Sequence, residues 1–311
     1  MKYLITGGAG FIGSNIAERI LSLGDEVRIL DNFSTGMEEN LSSFKNDIEL
    51  IRGDLRDFET VKKAVSGVDY VLHQGALPSV PRSIADPITT ADVNTGGTLN
   101  VLKASLDAGV KRVVAASSSS IYGNSPTLPK VEAMPMNPMS PYAVAKMAAE
   151  LYCRNFYKVY GLETVALRYF NVFGPKQDPT SQYSAVIPLF FSLMKSGKRP
   201  TIYGDGSQSR DFTFVANVID ANLKACTAEN AVGEMFNIGY GENHTLLDLV
   251  ENINQILDLS IEPIFGETRQ GDVKHSLADI SKARSILGYE PSVAFAEGLE
   301  IYFETEEKLL V

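Results

Sequence analysis

Gly24, Gly67, Gly109 and Gly161 each close a stretch of helical period shortly before an apolar, β-branched run. Glycine suits that place, because the left-handed backbone of a helix C-terminus costs a residue without Cβ almost nothing. Seven such runs occur: Tyr3 to Thr6, Val27 to Leu30, Ile48 to Ile51, Val68 to Leu72, Arg112 to Ala116, Thr164 to Tyr169 and Met235 to Ile238. Short apolar strands alternating with helices imply a sheet whose faces are both covered, and hence parallel strands. The expected fold class is α/β, a doubly wound parallel sheet.

After about residue 171 the rhythm changes. Pro175, Pro179, Pro188, Pro200 and the polar stretch Gly204 to Ser207 interrupt it. The run at Met235 to Ile238 returns to the first pattern. The expected division is therefore residues 1–170 plus about 215–238 for the sheet domain, and about 171–214 plus 239–311 for a smaller mixed α/β region. A content of 44% hydrophobic residues over 311 positions supplies a core for both. The net charge is −10 and the basic residues are scattered, which argues against a nucleic-acid surface. Cys153 and Cys226 are far apart, so neither a disulfide framework nor a cysteine metal site is expected. Neither a signal peptide nor a membrane span is read, and a reducing cytoplasm is the expected location.

Thr6-Gly7-Gly8-Ala9-Gly10-Phe11-Ile12-Gly13 follows the first strand and opens a helix expected from Ser14 to Leu23. In that context glycines let the backbone turn and approach a pyrophosphate, whose charge rests on the helix N-terminus, as in a Rossmann unit. The spacing is Gly-x-x-Gly-x-x-Gly, and alone it is equally a tight strand-helix turn. Asp31 adds to it. This carboxylate ends the second strand, where it can accept hydrogen bonds from the hydroxyls of an adenosine ribose. Asn32 follows rather than arginine, so nothing offsets the repulsion of a 2′-phosphate, and NAD is expected over NADP. Asp54, after the third strand, reads either as a group at the adenine edge or as a turn residue.

Tyr142 and Lys146 are four residues apart at the head of a helix, on one face. A phenol is a poor base near neutrality unless a cation favours its ionised form, and Lys146 can supply that charge. Among 13 tyrosines one such pair is what chance would give, so its meaning depends on the glycine loop, Asp31 and Ser118. Ser118 alone reads as a strand-end serine bonded to backbone.

Together with His73-Gln74-Gly75-Ala76, Asn94, Ser117-Ser118-Ser119, Arg168-Tyr169-Phe170-Asn171, Arg210-Asp211-Phe212 and Arg269-Gln270-Gly271-Asp272, these residues resemble the extended short-chain dehydrogenase/reductases. Within them the chain is similar to the nucleotide-sugar 4-epimerases along essentially its whole length. The resemblance implies Ser118, Tyr142 and Lys146 as the proton-transfer set and tightly bound NAD as cofactor. It implies Gly7, Gly10, Phe11, Ile12, Asp31 and Asn32 at the cofactor, with Ser34, Thr35, Gly36, Asp54 and Leu55. Gln74, Ala76, Asn94, Tyr142, Lys146 and Tyr169 would complete that cofactor site.

A UDP-sugar is the implied substrate. Ser79, Ser118, Ser119 and Tyr142 would meet the sugar, Asn171, Arg210 and Arg269 the diphosphate, and Ala185, Val186, Tyr203 and Asp272 the uridine. Ser276 matches a position where a bulky aromatic crowds a 2-acetamido group. Serine there, with Ser79 to Ser83, points to UDP-N-acetylglucosamine and UDP-N-acetylgalactosamine, with UDP-glucose and UDP-galactose also accepted. Ser119 and Ser120 stand where related dehydratases carry an acidic pair, which disfavours water elimination. Gly75, commonly alanine in the family, is expected to loosen local packing.

The alternatives are an epimerase acting on UDP-glucose or UDP-glucuronate, a 4-keto reductase and a noncatalytic NAD-binding regulator. A homodimer is implied through the helices beginning near Asn94 and Tyr142. His73, His244 and His275 show no ligand spacing and read as polar or packing residues, so no metal is expected.

Overall fold

The computed structural model describes residues 1–177, 186–267 and 274–308. Ala185, Arg269 and Asp272 fall outside the described residues. Strands β1 (Lys2–Thr6), β2 (Glu26–Asp31), β3 (Ile48–Arg52), β4 (Tyr70–His73), β5 (Arg112–Ser118) and β6 (Thr164–Tyr169) join Met235–Ile238 in one seven-stranded sheet. Every pairing in it is parallel. From one edge the order is Met235–Ile238, β6, β5, β4, β1, β2, β3, so the direction of winding reverses between β1 and β4. In such sheets a crevice opens at the carboxyl ends of the strands where the winding reverses. Thr6 and His73 are register partners there.

Helices α1 (Phe11–Ser22), α2 (Phe58–Val65), α3 (Val80–Ala85), α4 (Pro87–Ala91), α5 (Gly97–Ala108) and α6 (Pro141–Tyr160) precede the sixth strand. The two-residue period of each strand divides its side chains between two cores. Ile5, Ile29, Leu72 and Val114 pack on one face with Ile16 and Ile20 of α1 and with Val218 and Ala221 of the helix Val215–Thr227. Leu4, Leu30, Val71 and Val113 pack on the other with Val61 of α2, Val101 of α5 and Phe156 of α6. Gly24, Gly67, Gly109 and Gly161 all have φ between 68° and 82°, as their places at helix ends require.

A third core brings together Phe173, Phe190, Phe212, Phe214, Leu249 and Phe295. It joins the helices Val186–Lys195, Leu246–Leu257 and Phe295–Lys308, with Phe212 stacked on Phe295 at 5.2 Å between centroids.

Two expected boundaries shift. Helix α1 begins at Phe11 rather than Ser14, because Gly10 is extended and caps the helix without a side chain. The fourth strand is Tyr70–His73 rather than Val68 to Leu72, with the Asp69 nitrogen bonded to the Lys2 carbonyl just before the chain enters the sheet.

A buried ion pair ties β5, β6 and α6 together. Arg168 of β6 donates to both carboxylate oxygens of Glu150 on α6, at 2.9 and 2.5 Å, with each side chain 1% exposed. The Ser117 hydroxyl donates to the same carboxylate at 2.8 Å, and Arg168 also donates to the Tyr122 hydroxyl at 2.7 Å. Tyr122 in turn donates to Asn237 of the strand Met235–Ile238 at 2.6 Å. Removing one member of such a pair leaves the other charge buried without compensation. Glu150→Ala is expected to destabilise the chain by about 3–5 kcal/mol in denaturant unfolding; a cost under about 1 kcal/mol would mean that the network carries no such weight.

Candidate active site

The sharp turn after β1 is made by glycines with no room for a side chain. A Cβ on Gly7, whose φ is 68°, would lie 2.6 Å from the Gly75 Cα, and one on Gly13 would lie 2.3 Å from the Gly7 carbonyl oxygen. The first turn of α1 carries no acidic residue and no side-chain cap, so its N–H groups are available to an anion. Gly75 corrects an expectation: a methyl there would meet Leu55 at 2.8 Å and the Gly7 nitrogen at 3.2 Å, so its absence leaves no gap.

Around this turn lies a cavity of about 450 Å³. Gly7, Gly10, Phe11 and Ile12 line one end, with Asp31, Asn32, Ser34, Thr35, Gly36, Asp54 and Leu55 beyond them. Gln74, Ala76, Ser79, Tyr142, Lys146 and Tyr169 line the other. Asp31 accepts from the Ala9 nitrogen at 2.9 Å and the Phe33 nitrogen at 2.8 Å, which fixes its carboxylate at the cavity rim. Burial raises its pKa, and the backbone bonds oppose that shift. Asp54 is clamped by both Arg56 side-chain donors at 2.9 and 2.8 Å and by the Asn32 amide at 2.8 Å. Its carboxylate therefore organises the turn while it lines the cavity. Tyr169 donates to Gln74 at 3.1 Å and accepts from Asn222 at 2.7 Å, holding the Gln74 amide in place.

Asn94 is not among the cavity-lining residues. It sits in a single π-helical turn, Asp92–Gly96, and its amide is spent on the Leu77 backbone, accepting from the nitrogen at 2.7 Å and donating to the oxygen at 3.1 Å. Two cavity residues escaped the sequence reading of cations. Arg82 and Lys176 both line it, and Lys176 pairs with Glu18 at 2.8 Å. No local pattern marks Lys176, because its neighbours come from α1, 158 positions away.

Ser118 ends β5 and Ser140 caps α6, so strand end and helix start bring Ser118 near Tyr142, and Tyr142 lines the cavity while Ser118 is not among its lining residues. Burial raises the pKa of the phenol, and the neighbouring Ser118 hydroxyl opposes that shift. Lys146 bonds to backbone rather than to the phenol. Its ammonium donates to the Ala116 carbonyl at 2.8 Å, and burial brings its pKa down to about 8. In the protein alone the phenol therefore holds its proton, and an added positive charge in the cavity is needed to release it.

Of the residues expected at the substrate, Ser79 caps α3 through a bond from the Arg82 nitrogen at 3.1 Å. Ser119 opens the short helical turn Ser119–Tyr122, and Asn171 accepts from the Thr213 nitrogen at 3.2 Å. Val186 begins its helix and Tyr203 ends the strand Thr201–Tyr203 with its ring 40% exposed. Arg210 and Ser276 are joined through Asp211, whose nitrogen donates to the Ser276 carbonyl at 2.8 Å. The Asp211 carboxylate accepts from the nitrogens of Tyr240, Gly241 and Ala278 at 2.8–3.1 Å, anchoring both segments.

A glycine turn at the switch point, a carboxylate ending β2 and a Tyr–Lys pair on one cavity, with Ser118 beside the phenol, define an extended short-chain dehydrogenase/reductase that uses NAD. The profile of the NAD dependent epimerase/dehydratase family matches residues 3–239, and the chain belongs to that family. The UDP-glucose 4-epimerase of Mycolicibacterium smegmatis is 39% identical over 303 residues, covering 96% of each chain. The structure of a UDP-glucose 4-epimerase from Thermotoga maritima with UDP-glucose superposes with a TM-score of 0.95 at 35% identity over 100% of both chains. A UDP-N-acetylglucosamine 4-epimerase from Methanobrevibacter ruminantium, in complex with UDP-N-acetylmuramic acid, gives 0.94 at 39% identity, covering 99% of this chain and 98% of that one. Among the described residues no helix is long and apolar enough to cross a membrane.

The pKa of Lys146 has a consequence for stability. Between about 8 in the fold and 10.5 in the unfolded chain, the unfolded state binds a proton that the native state lacks, so this residue makes stability rise with pH across that window. Lys146→Met is expected to flatten the rise in thermal unfolding of cofactor-stripped protein; an identical pH profile would assign the titration to another group.

Proposed function

We propose that the chain inverts C4 of a UDP-hexose through a transient 4-keto sugar, acting on UDP-N-acetylglucosamine and UDP-N-acetylgalactosamine and also accepting UDP-glucose and UDP-galactose. The observation that carries the reading is that Tyr142 and Lys146 line the same cavity as the glycine turn and Asp31, with Ser118 close enough to the phenol to influence it. NAD supplies a hydride acceptor and returns the hydride, so no net oxidation results.

The protein's own groups manage the proton. Tyr142 takes it from the 4-hydroxyl as the keto group forms and gives it back as the keto group is reduced. Ser118, near the phenol, steadies the 4-oxygen in both directions. The cation of Lys146 lies one turn from Tyr142 and favours the ionised phenol over the neutral one. Burial limits competing water at Tyr142 and Lys146. Serines at positions 119 and 120 provide no carboxylate for elimination of water, which favours inversion over dehydration.

On the substrate side the reading gives Arg210 and Arg269 to the diphosphate with Asn171, and Ala185, Val186, Tyr203 and Asp272 to the uridine. Ser276 sets the sugar preference. A small side chain there leaves space for a 2-acetamido group, and a roomy pocket loses little affinity for a smaller sugar. A homodimer would pack through the helices beginning near Asn94 and Tyr142, and the exposed apolar side chains of Val144 and Leu151 on α6 support that interface.

Incubation with UDP-N-acetylglucosamine followed by separation of the epimers is expected to give both sugars. Tyr142→Phe should lower turnover by at least about 10²-fold with NAD still bound, and full activity in that variant would remove Tyr142 as the base. Ser276→Tyr should suppress kcat/KM for the acetamido pair while sparing UDP-glucose; equal loss for both pairs would contradict the assigned selectivity. In sedimentation, Leu151→Glu is expected to convert a dimer to monomers, and a wild-type chain that sediments as a monomer would overturn the proposed assembly.

A further inference from the structure

His73 ends β4, is fully buried and bonds through both ring nitrogens. Thr6 Oγ1 lies 2.7 Å from Nδ1 and Thr98 Oγ1 lies 2.9 Å from Nε2. The direction of each bond follows from counting hydrogens. The Thr98 hydroxyl spends its one proton on the Asn94 carbonyl at 2.6 Å, so it can only accept from the ring. The ring proton is therefore on Nε2, and Nδ1 is an acceptor. Thr6 must donate to Nδ1, which leaves its oxygen free to accept from the Gly75 nitrogen at 3.2 Å.

The result is one directed chain from the Gly75 nitrogen through Thr6, His73 and Thr98 to the Asn94 carbonyl. Its two ends grip the same short segment. Gly75 is held at the start, and the Asn94 side chain brackets the Leu77 backbone at 2.7 and 3.1 Å at the finish. Gly75, Ala76 and Leu77 form one wall of the cofactor cavity. A second proton on the ring would break the chain, because Nδ1 would then face a hydroxyl already donating to it. Burial and the nearby Lys146 push the His73 pKa down to about 3, so that proton does not arrive at physiological pH.

We propose that His73 is a positioning residue of the cofactor site, locked as the neutral Nε2–H tautomer so that one hydrogen-bond chain holds the Gly75–Leu77 wall in place for NAD. The proposal rests on the reading of the cavity as the NAD site, and its test needs no sugar turnover.

Nitrogen-detected NMR of histidine-labelled holoenzyme should show one neutral ring protonated on Nε2 and unchanged between about pH 5 and pH 8. His73→Phe keeps the volume and removes both bonds, so NAD should dissociate about tenfold faster. A glutamine carboxamide offers one acceptor and one donor, so His73→Gln should stay within about threefold of wild type. Thr98→Val, which preserves shape and removes both the partner of Nε2–H and the bond to the Asn94 carbonyl, should also speed release and carries the test if the phenylalanine variant fails to fold. A ring protonated on Nδ1, a ring that titrates in that range, or wild-type NAD release from a folded His73→Phe or Thr98→Val variant would overturn the proposal.

Discussion

The site depends on a backbone approach too close for any side chain. Gly7, Gly13 and Gly75 bring the β1 turn, the first turn of α1 and the end of β4 within a distance that one Cβ would violate. That contact is what opens α1 toward the switch point of the sheet and leaves its first N–H groups facing the cavity. Asp31, at the end of the next strand over, then faces the same space. The two cores on either side of the sheet hold these strands in register, so the cavity inherits its precision from rigid elements rather than from loops.

Buried polar groups around the cavity divide into two kinds. The Arg168–Glu150 pair is neutral as a unit and fully bonded, and it pins β5 and β6 to α6 just behind Ser118. Lys146 is a cation whose burial is offset only in part by the Ala116 carbonyl, and it keeps a pKa near the working range. Tyr142 is destabilised as an anion by the same burial. Each of these two groups is poorly served alone, and each is improved by the opposite charge in the cavity. Stability is given up at the site in return for groups able to exchange a proton.

The fold was legible because it rests on local rules. Seven apolar runs and four closing glycines announced the strands and helix ends, and the structure moved only a few boundaries, such as the start of α1. The glycine turn and Asp31 were legible for the same reason, since a turn and a strand end are local features. Hydrogen-bond partners were not. Asn94 turns to Leu77, Lys146 to Ala116 and Lys176 to Glu18, and each choice depends on elements brought together by tertiary packing. His73 passed for a packing residue because its two threonine partners lie 67 and 25 positions away. Composition and period carry no record of such contacts.

The central claim is that the hydrogen on C4 leaves and returns within one closed cavity while only a proton passes through Tyr142. A UDP-sugar carrying deuterium at C4 tests it most directly. Mass spectrometry of the two epimers formed in ordinary water should find the label retained at C4 in both; its replacement by solvent hydrogen in the product would contradict the account.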